Sequence, residues 1–469
     1  MLTMNITPQQ MTAWCESLLA GRAAAPELEL VDYLEAVPRL ETLDDVPAGT
    51  PVVVRGDVDA KPGAQVGEGD IRLRSMVDTL GYGRQRGWKQ IVFGHIGRKP
   101  EGTLDRVTQR LGELLKIEVP LLTDWLDERT MTISQAVREQ IEAAELGAVL
   151  VLDNTRRYDI ERVLWKATPG DLPQLAERLA NFANEFAEKI GRVYVHEALA
   201  AGSMDASSTV VPATMDRLAI GKYEAREFDG PMRRCLATEL VVFSGLKIDK
   251  LDDLEVMINR GTIRHVFAAG SLAMALKKAI GEIDGKPCCL GLAEDPAHAD
   301  KPYYIPAERI EQAKQMVEDG RTKGIEFVVP IDSVIEDGSV VDQLQADQQQ
   351  FDIGPKSSKL FEERVGAFLA NAKPGAVAFH NGVFGMFEDP KFEAGTKRFI
   401  TQLKRMTAAG VEVYVGGGEG GKALERYGQA DWVTHVFTAG GTVLNALGGD
   451  PVPYLAALRN AECKLRNAE

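Results

Sequence analysis

Short runs of apolar, mostly β-branched residues recur along the chain and alternate with longer amphipathic stretches. The runs predict strands at Val52–Arg55, Gln90–Phe93, Ala148–Leu152, Arg192–Val195, Leu240–Phe243, Arg264–Phe267, Glu326–Val329, Ala376–Phe379, Val411–Val415 and Thr434–Phe437. They are apolar on both faces, as buried parallel strands are. Between them the period changes to that of a helix. Asp171 is placed to cap a helix whose Leu175, Leu179, Phe182, Phe186 and Ile190 share one face. Thr103 is placed likewise before Leu104, Val107, Leu111 and Leu115. Near the start, Thr7 and Pro8 open an amphipathic helix carrying Met11, Trp14, Cys15, Leu18 and Leu19 and ending near Gly21.

Strand–helix alternation at this spacing predicts an α/β fold with parallel sheets. The alternation runs twice. The expected organisation is a helical extension over 1–38 and a first domain over 39–214. A polar connector over 215–235 acts as a hinge, a second domain spans 236–445, and a tail over 446–469 packs back on the first domain. Each domain is expected to be Rossmann-like.

Charge narrows the function. Lys and Arg total 54 against 69 Asp and Glu, a formal net charge of −15. That balance argues against nucleic acid or an anionic membrane as partner, since both need a basic field. The five cysteines, Cys15, Cys235, Cys288, Cys289 and Cys463, lack metal or redox spacing and read as free thiols of a reducing cytoplasm. No signal-peptide pattern and no apolar run long enough to span a bilayer is visible.

In open parallel sheets ligands bind beyond the carboxyl ends of the strands. In the first half those positions hold Arg55 and Asp57, then His95 and Arg98, then Asn154, Arg156 and Arg157, with Arg72 in the following loop. Guanidinium groups converging on one edge imply a small polyanion. The second half ends its strands in glycine: Ser244-Gly245-Leu246-Lys247, Ala269-Gly270-Ser271, Asn381-Gly382 and Gly416 to Lys422. Glycine lets backbone N–H groups approach a phosphate at a helix N-terminus. Gly416–Lys422 fits the spacing of a P-loop, but Ala423 stands where the magnesium-binding hydroxyl belongs, so a nucleotide site of another kind is expected. An anion cleft and a nucleotide cleft together predict phosphoryl transfer.

Six segments, TLDDVPAGTPVVVRGDVD, FGHIGRKPEG, VLVLDNTRRY, DIGPKSSKLF, NGVFGMFEDPKFEAGTK and GGGEGGKA, resemble phosphoglycerate kinases in order from about residue 41 to 455. The resemblance implies a two-domain kinase. Its first domain binds 3-phosphoglycerate or 1,3-bisphosphoglycerate, and its second binds magnesium ADP or ATP. It implies a substrate set of Arg55, Asp57, Asp59, His95, Arg98 and Arg156, with Arg72 at the transferred phosphoryl group. On the nucleotide side it implies Gly245, Lys247, Gly270, Asn381, Glu388, Gly417, Gly418 and Glu419, with Glu419 near magnesium. Lys247 and Lys250 stand for the family's catalytic lysines, here one residue closer together; if Lys250 begins a helix it still serves, since i+3 and i+4 share a face, and if not a catalytic charge is missing. Members tend to be monomeric.

The departures fall at functional positions. Where the family carries a further phosphate-binding arginine this chain has Met204, in the segment Ser203-Met204-Asp205-Ala206, and the family's substrate asparagine is Asp59. The cleft loses a cation and gains two carboxylates, which predicts weaker 3-phosphoglycerate binding by at least about tenfold. Arg157, in place of an aromatic, either compensates or takes a neutral surface role. His380 replaces the indole of the family's Trp-Asn-Gly-Pro and is expected to pack in its place. Three readings follow: a divergent phosphoglycerate kinase, a kinase of another phosphorylated carboxylic acid, or a nucleotide-binding pseudokinase with a regulatory role.

Overall fold

The computed structural model describes residues 5–21, 30–246 and 248–466, so the predicted site residue Lys247 lies outside the described residues. The chain divides into two compact units, residues 1–229 with 450–469, and residues 230–449.

The first unit is built on β1 (Pro51–Gly56), β2 (Lys89–Phe93), β3 (Leu121–Leu122), β6 (Val149–Leu152), β7 (Val193–Glu197) and β8 (Arg217–Ile220). They form one six-stranded parallel sheet in the order β3-β6-β2-β1-β7-β8. A small antiparallel pair, β4 (Leu126–Asp127) and β5 (Thr132–Ile133), lies outside it. Val52, Val54, Val92, Val149, Val151 and Val195 carry one face of the sheet into a core with Leu73, Leu80, Leu104 and Leu111. Central parallel strands buried on both sides explain why their sequence reads as uninterrupted apolar runs.

The second unit repeats the plan with β9 (Thr238–Phe243), β10 (His265–Ala268), β11 (Glu326–Val328), β15 (Val377–Asn381), β16 (Glu412–Gly416) and β17 (His435–Val436), in the order β11-β10-β9-β15-β16-β17. Between β11 and β15 the chain makes a three-stranded antiparallel patch, β12 (Ser333–Val334), β13 (Val340–Val341) and β14 (Asp352–Ile353). The fold is the α/β class that the alternation predicts.

Three local readings differ from the sequence. The stretch 215–235 is not all connector: Leu218, Ala219 and Ile220 are buried in β8, which pairs with β7 at the edge of the first sheet. Four residues flanked by charge, Arg217 among them paired with Asp45, carry too little pattern to be read as a strand. Asp171 does not cap the helix Leu172–Lys189. Its carboxylate reaches back to the N–H and hydroxyl of Thr168, at 2.8 and 2.7 Å, and closes a capping box one turn earlier. Thr103 lies one residue too early: the helix Asp105–Leu115 has Leu104 at its N-cap, without a side-chain cap.

The first and last described helices both belong to the first unit. The helix Pro8–Leu19 starts with the Thr7/Gln10 capping box and buries Met11, Trp14, Cys15 and Leu18. The Trp14 indole donates to the Thr209 carbonyl at 2.8 Å, and Asn184 holds both backbone groups of Ile6. The helix Pro453–Arg466 brings Tyr454 onto His196, ring centroids 3.9 Å apart and nearly parallel.

Candidate functional site

The carboxyl edge of the first sheet gathers side chains that the sequence scatters over 150 positions. Arg55, near the end of β1, is 1% exposed. Its guanidinium donates to Ser207 Oγ at 2.9 Å and to the Gly56 carbonyl at 2.7 Å, and it lies 3.0 Å from His95 Nδ1. Arg156, in the turn after β6, donates to the Gly97 carbonyl at 2.6 Å, and its planar head lies 4.6 Å from the centre of the Trp165 ring. Arg72, on the short helix Ile71–Ser75, is 3.5 Å from Asp57 and 3.3 Å from Asp59, and donates to the Asp59 carbonyl at 3.0 Å. Arg98 is exposed, one residue beyond Gly97, whose N–H donates to Asp59 at 2.9 Å.

The structure thus brings Arg55, His95 and Arg156 together, and groups Arg72 with Asp57 and Asp59. Arg157 does not join them. It turns to Asp153 at 2.7 Å and Asp124 at 3.8 Å, so it does not replace the arginine missing at Met204.

The centre of the cationic group is filled by the chain itself. Asp205, fully buried, places Oδ2 3.3 Å from His95 Nδ1, 3.3 Å from Arg156 and 3.6 Å from Arg55. Its Oδ1 accepts from the Trp165 indole at 2.7 Å. Burial opposes ionisation of Asp205, but His95, Arg55 and Arg156 outweigh it and hold the carboxyl well below the usual carboxylate range. Burial lowers His95 below its ordinary value, so the arginines carry the charge of the cluster near neutral pH. Burial, then the Asp205 charge, pushes Glu161 up to about 7. Glu161 braces the same loop through Ser207 and Thr155 at 2.7 and 2.8 Å. Burial also raises Asp57, to about 6, against the pull of Arg72 and Arg55.

Sequence reasoning missed Glu161 and Trp165. Both sit on irregular turns with no periodicity, and nothing in the pattern there marks them. His95, Glu161 and Asp205 offer ligand atoms within 4.8 Å of one another, a spacing that suits a metal ion. Two guanidinium groups already share Asp205, so the donor set there fits a salt-bridge cluster better than a dication.

The second unit presents an open cavity of about 690 Å³ at the carboxyl ends of its strands. Gly245, Gly270, Asn381, Glu388, Gly417, Gly418 and Glu419 all line it, with Lys250. Met274, Phe351, Val383, Phe384 and Leu444 supply an apolar wall. Gly270 needs to be glycine: its φ is +66°, and a Cβ there would lie 2.5 Å from the Gly245 carbonyl oxygen. Gly417 opens the helix Gly417–Tyr427 so close to Gly440 that a side chain would strike the Gly440 backbone. Lys250, the first residue of the helix Lys250–Asn259, donates to the Ser244 carbonyl and to Asn381 Oδ1, both at 2.8 Å. Glu419 is exposed in the first turn of its helix. His380 packs behind the cavity, stacked on Phe399 at 5.6 Å and hydrogen-bonded to the Gly382 carbonyl at 2.8 Å. Burial lowers it to about 4, which leaves it neutral.

The family model for phosphoglycerate kinase matches residues 43–450. The phosphoglycerate kinase of Chloroherpeton thalassium is 30% identical over 447 residues, covering 90% of this chain and 99% of the relative. A cytosolic phosphoglycerate kinase of Triticum aestivum is 28% identical, covering 88% and 96%. Among solved structures, phosphoglycerate kinase from Pyrococcus horikoshii OT3 superposes with a TM-score of 0.69 at 22% identity over 91% of this chain and 99% of its own. That of Coxiella burnetii gives 0.65 at 20%, over 90% and 99%.

Proposed function

The chain belongs to the phosphoglycerate kinase family, and on that premise we infer that it is a kinase with a carboxyl group as acceptor. The reaction is reversible phosphoryl transfer between an acyl phosphate of the 1,3-bisphosphoglycerate type and ADP. The observation that carries this reading is the single family match over residues 43–450, which spans both sheets.

We assign the acid to the first-sheet edge and the nucleotide to the glycine-lined cavity. Arg72, 28% exposed and held by Asp57 and Asp59, is the guanidinium we assign to the transferring phosphoryl group. Arg55, Asp57, Asp59, His95, Arg98 and Arg156 shape the acid site. In the second unit the backbone of Gly245, Gly270, Gly417 and Gly418 admits the nucleotide phosphates, and Asn381 and Glu388 stand beside them. Lys250 supplies a positive charge within reach of the same space, and Lys247 is assigned by its sequence position alone. Magnesium fits this donor set, since the ion is commonly held by one or two carboxylates plus substrate phosphates. Glu419, an exposed carboxylate on the cavity wall, is its proposed ligand. When bound, the ion neutralises phosphate charge.

Free cysteines and a relative named cytosolic support a cytoplasmic location. Among the described residues no helix is long and apolar enough to cross a membrane. We propose that the chain acts as a monomer on small-molecule ligands.

A coupled assay with magnesium ATP and 3-phosphoglycerate tests the reading. A divergent but active kinase turns over at roughly 1–100 per second at saturating acid. Intact calorimetric binding of magnesium ADP, without turnover of any carboxylic acid, would instead identify a pseudokinase.

A further inference from the structure

The anion subsite of the first unit already holds an anion. Its four inward donors, the guanidinium groups of Arg55 and Arg156, the imidazole of His95 and the indole of Trp165, all converge on the carboxylate of Asp205. Arg72 is matched in the same way by Asp57 and Asp59. Three guanidinium groups of the cleft therefore face three aspartates. Glu161 lies buried behind them, accepting from Ser207 and Thr155. A phosphate dianion entering this space either displaces a fully buried carboxylate from its partners or sits beside it with only the exposed Arg98 left to offset its charge, and both are costly.

Two polar atoms at the same edge have no partner among the described residues: Asp57 Oδ2 and Arg156 Nε. Both side chains are more than nine-tenths buried, at 5% and 6% exposure. A buried carboxylate oxygen without a donor calls for a hydroxyl from a ligand, and a buried guanidinium N–H calls for an acceptor oxygen. An unphosphorylated hydroxy group offers both. The free hydroxyl of 3-phosphoglycerate offers both as well, so discrimination against its phosphate rests on the Asp205 carboxylate.

We propose that Asp205 is a specificity-determining residue of the acid site. It is an internal counter-anion standing where the far-end phosphate of 3-phosphoglycerate would bind. It turns the site towards small hydroxy-carboxylic acids whose far end carries no phosphate dianion. The proposal rests on the acceptor acid binding at this edge, as in the function proposed above. The transfer step is that of the family reaction. A carboxylate oxygen of the acid bonds to the γ-phosphorus of ATP. The bond from that phosphorus to the ADP oxygen breaks, ADP leaves with the electron pair, and no proton or further reactant is needed.

The test compares binding of 3-phosphoglycerate and of unphosphorylated glycerate to the full-length chain, by calorimetry and thermal shift. The wild type is expected to bind 3-phosphoglycerate no more tightly than glycerate. Asp205→Asn, nearly isosteric, is expected to bind 3-phosphoglycerate at least tenfold more tightly than wild type, with less than a threefold change for glycerate. Trp165→Phe removes one donor that anchors Asp205 and is expected to give a gain of about threefold, which decides the matter if Asp205→Asn does not fold. A wild type that prefers 3-phosphoglycerate tenfold, or variants that leave the ratio of the two acids unchanged, would overturn the proposal. Because binding is read without turnover, loss of kinase activity alongside the switched preference counts against the kinase reading only. Turnover with an unchanged ratio counts against Asp205 only.

Discussion

The two units solve the same problem, holding an anion at the carboxyl edge of a parallel sheet, by opposite means. The first uses side chains. Arg55, Arg156 and Asp205 are nearly or fully buried and depend on one another for charge balance. The second uses backbone: glycines at strand ends, a helix N-terminus, and few buried charges around an open cavity. A site made of mutually paired side chains is also part of the core, so its chemistry and its stability are coupled. A site made of glycine backbone and exposed carboxylates is not.

That contrast gives its largest effect on stability at Arg55. Removing one partner of a buried ion pair leaves the other uncompensated and costs about 3–5 kcal/mol. Arg55→Ala is therefore expected to lower the denaturant midpoint strongly, with magnesium ADP affinity intact in whatever remains folded. A small loss would break the idea that the first-unit site belongs to the core.

A middle-sized effect concerns pH. Glu197 and Glu224 are buried together beside β7, where Glu197 accepts from Thr79 at 2.5 Å and from the Glu224 N–H at 3.2 Å. Burial, and for Glu197 also the Glu224 charge, pushes both up to about 8 from an ordinary value of 4.5. His196 lies 3.0 Å from Glu224 and is itself driven well below its usual value by burial. The folded chain thus holds carboxyl protons that the unfolded chain releases. Their stabilisation is full below the unfolded value and is lost as pH rises towards about 8. Denaturant unfolding between about pH 6 and pH 8 should show a fall of up to about 5 kcal/mol, and Glu197→Gln should roughly halve that slope. An unchanged slope would mean that these protons are not held.

The smallest effect is expected in the second unit. Glu419 is exposed, so Glu419→Ala should change stability by less than about 0.5 kcal/mol while weakening magnesium ADP binding. A large loss of stability there would erase the contrast between the two units.

The sequence made most of the sheets legible because buried parallel strands announce themselves as apolar runs. Edge strands such as β3 and β8 do not, being short and flanked by charge. At the nucleotide side the glycine turns were readable residue by residue, because a strand-end glycine acts where it stands. At the acid side only half of the arrangement was. The arginines and the extra carboxylates could be listed, but not that Asp205 sits among Arg55, His95 and Arg156. Those four are brought together by strands distant in sequence. Trp165 and Glu161, which fix Asp205 and its loop, lie on turns that carry no period.

The division of labour between the units is tested most directly at Arg72. Turnover of carboxylic acid and calorimetric magnesium ADP binding should be measured side by side in wild type and Arg72→Ala. The account predicts a loss of kcat on the order of 10³-fold or more, with nucleotide affinity unchanged. Retained turnover, or nucleotide affinity lost along with it, would contradict the placement of acid and nucleotide on separate sheets.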